Sequence, residues 1–155
     1  MTFKIVQYQL SFPATAGTDV FDITGRVREK VSESGIRNGQ ALAFVPGSTA
    51  ALTTIEYERG AIQDLVDAIE RIAPQSLNYR HDERWGDGNG YAHVRAALLG
   101  PSLTVPVVAG QLALGTWQQM VLVDFDNRPR QRRILIQISG DDHPVPKERT
   151  EQQGG

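Results

Sequence analysis

The stretch after Gly100-Pro101 constrains the fold most, because it reads almost without interruption as β-strand. Leu103 to Val108, Leu112 to Leu114, Trp117 to Phe125 and Arg132 to Ile138 are apolar, β-branched runs parted by turn residues. In the last run Ile134, Ile136 and Ile138 share one face, with Leu135 and Gln137 on the other. Asp126-Asn127-Arg128-Pro129 predicts a hairpin-type turn between the final two strands.

The earlier part of the chain alternates more loosely. Over residues 3–12, Val6, Tyr8, Leu10 and Phe12 alternate with polar residues, the period of a half-buried strand. Val20 to Ile23 reads as a short strand, and Thr24 as the N-cap of a helix carrying Val27 and Val31 and ending at Gly35. Gln40 to Val45 and Ala50 to Tyr57 read as strands separated by Pro46-Gly47. Residues 61–73 give the clearest helix, with Ile62, Leu65, Val66, Ile69 and Ile72 at helical spacing before Pro74. His93 to Leu99 predicts a further short helix.

This order lacks the regular strand–helix alternation of a doubly wound sheet. It predicts an α+β domain over residues 1–140: a mainly antiparallel or mixed sheet with two to three helices on one face. Residues 141–155, polar and ending in Gly-Gly, are expected to be a loose tail.

Sixteen basic and 18 acidic residues give a net charge of -2, so bulk electrostatics offer no case for nucleic-acid binding. No apolar run approaches the roughly 20 residues of a membrane span, so no membrane partner is expected. The absence of cysteine rules out thiol chemistry and suits a reducing compartment. With no signal-peptide pattern at Met1-Thr2-Phe3-Lys4, the expected location is cytoplasmic.

Candidate chemistry concentrates in residues 81–93, expected to be a loop. It holds His81 and His93, two of the three histidines, with Asp82, Glu83, Asp87, Arg84 and three glycines. Histidine titrates nearest neutral pH and commonly ligates metals. Two histidines with a carboxylate, Glu56 or Asp87, suit a divalent cation or a general acid/base pair. Pro46-Gly47-Ser48-Thr49-Ala50 and Leu99-Gly100-Pro101-Ser102 are small-residue corners able to hold an anion, and equally ordinary turns. Arg95 could grip a phosphate through its fork or stand exposed on its helix. The run Arg128, Arg130, Arg132, Arg133 reads as a solvated edge around the hairpin tip, and the Trp117 ring as core or interface.

Two longer segments carry a resemblance. Ala92-His93-Val94-Arg95-Ala96-Ala97-Leu98-Leu99-Gly100-Pro101-Ser102-Leu103-Thr104-Val105-Pro106 and Gly110-Gln111-Leu112-Ala113-Leu114-Gly115-Thr116-Trp117-Gln118-Gln119 resemble the signature of the YjbQ family. The similarity runs over most of residues 3–140. It implies a YjbQ-like α+β homotrimer with active sites near subunit contacts, and a secondary thiamine-phosphate synthase activity. That reaction joins a pyrimidine pyrophosphate to a thiazole phosphate and releases pyrophosphate.

Residue by residue, the resemblance implies catalytic roles for His81, His93 and Glu56. It implies a phosphate cradle of Ser48, Thr49 and Arg95, and a divalent metal, zinc or magnesium, on His81 and His93, without an organic cofactor. Gly47 stands where the family carries a histidine, so three histidines become two. The alternatives are a metal-assisted hydrolase of a small phosphorylated metabolite, or a non-enzymatic trimer that binds an anionic metabolite.

Overall fold

The structure is a computed structural model and describes residues 2–144. In chain order its elements are β1 (Lys4–Ala14), β2 (Asp19–Asp22), α1 (Thr24–Ser34), β3 (Asn38–Phe44), β4 (Ala50–Ile55), α2 (Arg59–Ile72), α3 (Arg80–Trp85), α4 (Gly90–Leu99), β5 (Ser102–Val108), β6 (Gln111–Leu112), β7 (Gln119–Asp124) and β8 (Arg130–Asp141). The strands form two antiparallel sheets, one ordered β1-β8-β3-β5-β6 and one ordered β2-β7-β4. The α+β class with antiparallel sheets is therefore what the chain adopts. The single expected sheet is split in two, and there is a fourth helix, α3.

The two sheets face each other across one core. Leu10 and Phe12 of β1, Ile134, Ile136 and Ile138 of β8, and Ala41 and Ala43 of β3 meet Leu52 of β4 and Met120 and Leu122 of β7. Helix α1 joins this core through Val27 and Val31. A second core lies on the far side of the smaller sheet. There Val121, Val123 and Phe125 pack with Ile69 of α2 and Tyr91, Ala92 and Ala96 of α4. Alternate residues of β7 thus enter different cores, which is why its apolar run is continuous rather than alternating.

Strands β1 and β8 show the expected alternation and pair along their full lengths, from Lys4 opposite Gly140 to Ala14 opposite Arg130. Three local expectations need correction. The segment 126–129 is no hairpin, because β7 pairs with β2 and β4 while β8 pairs with β1 and β3. It carries the chain from one sheet to the other. Thr24 is the first residue of α1 rather than its cap, and its hydroxyl accepts from the Met120 amide at 2.9 Å. Trp117 precedes β7 and is 73 % exposed in the single chain, so its ring is not part of the core, which leaves the interface reading. Of the expected tail, Asp141 ends β8 opposite Asn38, and residues 145–155 lie outside the described residues.

Candidate functional site

The expected loop at 81–93 is two short helices meeting at a sharp corner. Helix α3 carries His81 in its first turn and stops at Gly86, whose φ of 65° is the left-handed conformation that glycine adopts without penalty. Helix α4 starts at Gly90. A Cβ at Gly90 would lie 2.5 Å from the Tyr79 Cβ, so only glycine lets the two helices approach this closely. The Gly90 amide donates to Asp82 Oδ1 at 2.8 Å, binding the start of α4 to α3.

This corner places His81 against His93, with ring centroids 4.4 Å apart and planes tilted by 42°. His81 Nδ1 faces two carboxylates, Asp82 Oδ1 at 3.5 Å and Asp87 Oδ1 at 3.4 Å. Among the described residues, Nδ1 is buried with no hydrogen-bond partner. Ligand atoms of His81, Asp82 and Asp87 all lie within 4.8 Å of one another. An orphaned imidazole nitrogen with two carboxylates is a donor set that fits a divalent cation, and the nitrogen ligand favours zinc over magnesium. His93 is not one of these three; its ring lies against that of His81 and borders a cavity of about 230 Å³. Ser48 and Gly47 border the same cavity, with Ala50, Ala97 and Pro101 forming apolar walls.

The other candidate residues separate. Glu56 lies just beyond β4, at the end opposite Ala50. Six residues of extended chain span about 20 Å, so within one chain Glu56 cannot complete the histidine pair. It borders a surface groove with Tyr57, Trp117 and Arg28.

Arg95 is buried, and its Nε donates to the Ala73 carbonyl at 2.9 Å while Nη2 pairs with Glu70. Its guanidinium also lies over the rings of Tyr91 and Phe125. Arg95 therefore fastens α4 to the C-terminal end of α2, with its Nε and Nη2 engaged in the fold. The Gln75 amide, and then Arg95 itself, hold the Glu70 carboxyl below its ordinary range.

Thr49 is also withdrawn from the cradle. Its buried hydroxyl donates to Asp126 Oδ2 at 2.8 Å and accepts from Arg132 Nη2 at 2.6 Å. Ser48 alone of the three expected phosphate residues remains exposed at the cavity.

Thr49 belongs to a cluster absent from the sequence reading. Arg132 of β8 pairs through Nε with the fully buried Asp124 of β7, and Arg130 Nε donates to Asp126 at 3.0 Å. Burial raises the Asp124 pKa against the pull of Arg132. Burial also works against the Asp126 charge, but hydrogen bonds from Thr49, the Arg128 amide and Arg130 outweigh it and lower the pKa. Beside this cluster, Asn127 Nδ2 donates to the Asp87 carbonyl at 2.7 Å, and the Asn127 amide donates to Asn89 Oδ1 at 3.1 Å. The crossover from β7 to β8 thereby holds the segment that carries Asp87. Arg132 had a signal in the sequence: it shares the inward register of Ile134, Ile136 and Ile138.

Comparison with known proteins agrees with this architecture. Residues 8–141 match the family model described as UPF0047 protein YjbQ-like. The chain belongs to the YjbQ/UPF0047 family. A UPF0047 protein of Archaeoglobus fulgidus is 40 % identical over 128 residues, covering 83 % of this chain and 97 % of the relative. A UPF0047 protein of Mycobacterium tuberculosis is 40 % identical over 129 residues, 81 % of this chain and 93 % of the relative. The crystal structure of a YbjQ-like protein of unknown function from Sulfolobus solfataricus superposes with a TM-score of 0.86 at 34 % identity, covering 90 % of this chain and all of that one. The matches to these YjbQ/UPF0047 relatives cover 93 % or more of each relative, and the solved structure among them shares the fold.

Proposed function

We propose that this family member acts on a small phosphorylated molecule, with His81, His93, Asp82 and Asp87 as its chemical centre. The observation that carries the reading is the contact of the two imidazoles beside a cavity, one facing two carboxylates with an unsatisfied nitrogen. His81, Asp82 and Asp87 would hold a divalent cation, which would supply charge neutralisation to a phosphate leaving group. His93, at the cavity wall, would hold or donate the proton to the departing oxygen. Ser48 would orient the phosphate.

The reaction implied by the resemblance is the joining of a pyrimidine pyrophosphate to a thiazole phosphate with loss of pyrophosphate. In the first of these the leaving group is what this centre would receive. A second reading, hydrolysis of one small phosphate ester, is favoured by the cavity itself, whose 230 Å³ suits one small group rather than two substrates.

A homotrimer also forms part of this reading. The outer face of the larger sheet shows Ile5, Leu42, Phe44 and Leu135 at least partly exposed, and a second subunit would cover them. The cysteine-free chain suits the cytoplasm, and no helix among the described residues is long and apolar enough to cross a membrane.

The test is metal content by mass spectrometry on untagged protein, with turnover of both substrate types measured alongside. Stoichiometric metal lost on His81→Ala, together with turnover lost on His93→Ala, is the expected result. Turnover unchanged in His93→Ala sinks the assignment, and light scattering that shows a monomer removes the trimer.

A further inference from the structure

A second cavity opens where the edges of the two sheets part. It encloses about 340 Å³ between β4 and β5. Its floor is apolar. Leu52 and Val105 belong to the core between the sheets, and Leu103 and Leu114 pack against that core. Its rim carries Thr53, Thr54, Ser102, Thr104 and Gln118, all polar and none ionisable. It shares no lining residue with the histidine cavity, although Pro101 borders that one and Ser102 this one. Both segments that carry the sequence resemblance meet here, the first through β5 and the second through Leu114 and Gln118. The proposed function draws on only His93 from either of them.

The strand edges beside this cavity have open backbone. The Leu52 amide donates to the Gly100 carbonyl at 3.0 Å, away from β7. Residues two apart on a strand turn their backbone groups the same way, so the N–H and C=O of Thr54 also leave β7. On β5 the Pro106 carbonyl accepts from the Ala113 amide at 2.9 Å, on the side away from β3. Ser102 and Thr104 therefore turn outward as well. Among the described residues, the amides of Thr54, Ser102 and Thr104 meet no partner. Both open stretches are short. The β4 stretch is closed at one end by the Leu52–Gly100 bond and at the other by Gln118 Nε2, which donates to Thr54 Oγ1 at 3.2 Å. The β5 stretch ends at Pro106, which has no N–H. Two residues of strand span about 7 Å, the width of a single ring, so an extended peptide finds no run of edge to pair with.

We infer that this cavity binds an uncharged cyclic amide, a lactam or ureide ring, at a site separate from the histidine centre. The lining decides the charge of the ligand. A charged group here would lose its water and meet no counter-ion. The strand edges decide its polar face. An outward residue offers an N–H and a C=O on one side, and a ring amide, held cis, presents a C=O and an N–H along one edge to meet them. The floor of Leu52, Leu103 and Leu114 takes the carbon face of the ring. The sheets fix these backbone groups before any ligand arrives, so binding has little of the protein to order. The volume lies within the range of small-molecule sites, about 300–1,000 Å³.

The test is an amide-resolved NMR titration of the full chain with hydantoin, a neutral ureide ring, in chelator. Wild type should bind with a dissociation constant on the order of 1 mM, with the largest amide shifts at Thr54, Ser102 and Thr104. Two derivatives of the same ring sharpen the result. The acetic-acid derivative adds a carboxylate and the N,N′-dimethyl derivative removes both donors, and each should bind at least about tenfold more weakly. Thr104→Pro removes one amide donor without breaking a ladder bond, since Pro106 already stands in the same register two residues on. It should weaken binding by about tenfold, while Thr104→Val, which keeps that amide, should stay within about threefold. Ala113→Phe, at an exposed position on the cavity border, fills the space and should abolish binding, so the question is answered even where a melting curve shows Thr104→Pro unfolded. No shift with hydantoin, equal binding of the charged or dimethylated ring, or shifts confined to residues around His93 overturns the site. Metal content and turnover decide the histidine centre separately, so either idea can fall without the other.

Discussion

The chain gathers ionisable side chains in two places and treats them in opposite ways. Around the end of β7, the buried Asp124, Asp126 and Arg132 and the more exposed Arg130 are paired and hydrogen-bonded, with Thr49 bonded to both Asp126 and Arg132. At the α3–α4 corner, His81, Asp82, Asp87 and His93 are half-exposed or open to the cavity, and His81 Nδ1 is left without a partner. A buried charge network must be satisfied or the fold suffers, whereas groups at a reactive site gain from being unsatisfied until a ligand arrives. The two sites are joined by Asn127, next to Asp126, which fixes the Asp87 segment. The rigid cluster therefore serves as the mount for the open one.

This contrast can be broken from either side. The largest effect should come from Arg132→Met, which strands Asp124 in the core. It should cost about 3–5 kcal/mol of stability, read from denaturant midpoints. Gly90→Ala should cost about 1–3 kcal/mol through the forced contact with Tyr79. It should also part the histidines, so that metal content falls together with the melting temperature. His81→Ala should behave differently, removing metal while changing stability by no more than about 0.5 kcal/mol, the range of a change away from tightly packed features. A loss as large as that of Arg132→Met would mean the open cluster is structural after all.

Acid should weaken the paired cluster through Asp126. The folded pKa of Asp126 is lowered, so its stabilisation is complete above the ordinary carboxylate range and is lost as pH falls through the lowered value, below about pH 4. Asp124 runs the opposite way. Its folded pKa is raised, so its contribution is present at low pH and fades as pH rises through that raised value. Asp126→Asn should flatten the acid limb of a stability–pH curve, and Asp124→Asn should not. At Tyr91 the expected change is a gain in stability. Its buried hydroxyl has no partner among the described residues. Tyr91→Phe should stabilise the protein by about 1 kcal/mol and leave metal binding unchanged.

How far these sites could be read from sequence depended on the range of the interactions involved. The alternation of Val6, Tyr8, Leu10 and Phe12, and of Ile134, Ile136 and Ile138, announced two partner strands, because a strand with one buried face writes its pattern locally. The histidines stood out by composition, and Asp87 was named beside them. Their helical setting was hidden, because residues 80–85 are too short and too polar to show periodicity. Arg95 and Thr49 were misplaced because nothing local distinguishes an arginine facing solvent from one folded back onto a helix end. Arg132 was masked by Arg128, Arg130 and Arg133, although its register pointed inward. The crossover at 126–129 could not be told from a hairpin, since turn residues report that the chain bends and not which strands it joins.

Strand β8 is the last strand among the described residues and yet lies inside the larger sheet, between β1 and β3. During synthesis β1 therefore waits, its edge bare, until residues 130–141 have left the ribosome. A nascent chain halted before residue 130 would hold two sheet edges and half a core open to solvent. Truncated products should aggregate or recruit chaperones rather than form a smaller stable domain. The delay follows from contacts that link the two ends of the sequence, which also make folding slow relative to proteins built from neighbouring segments.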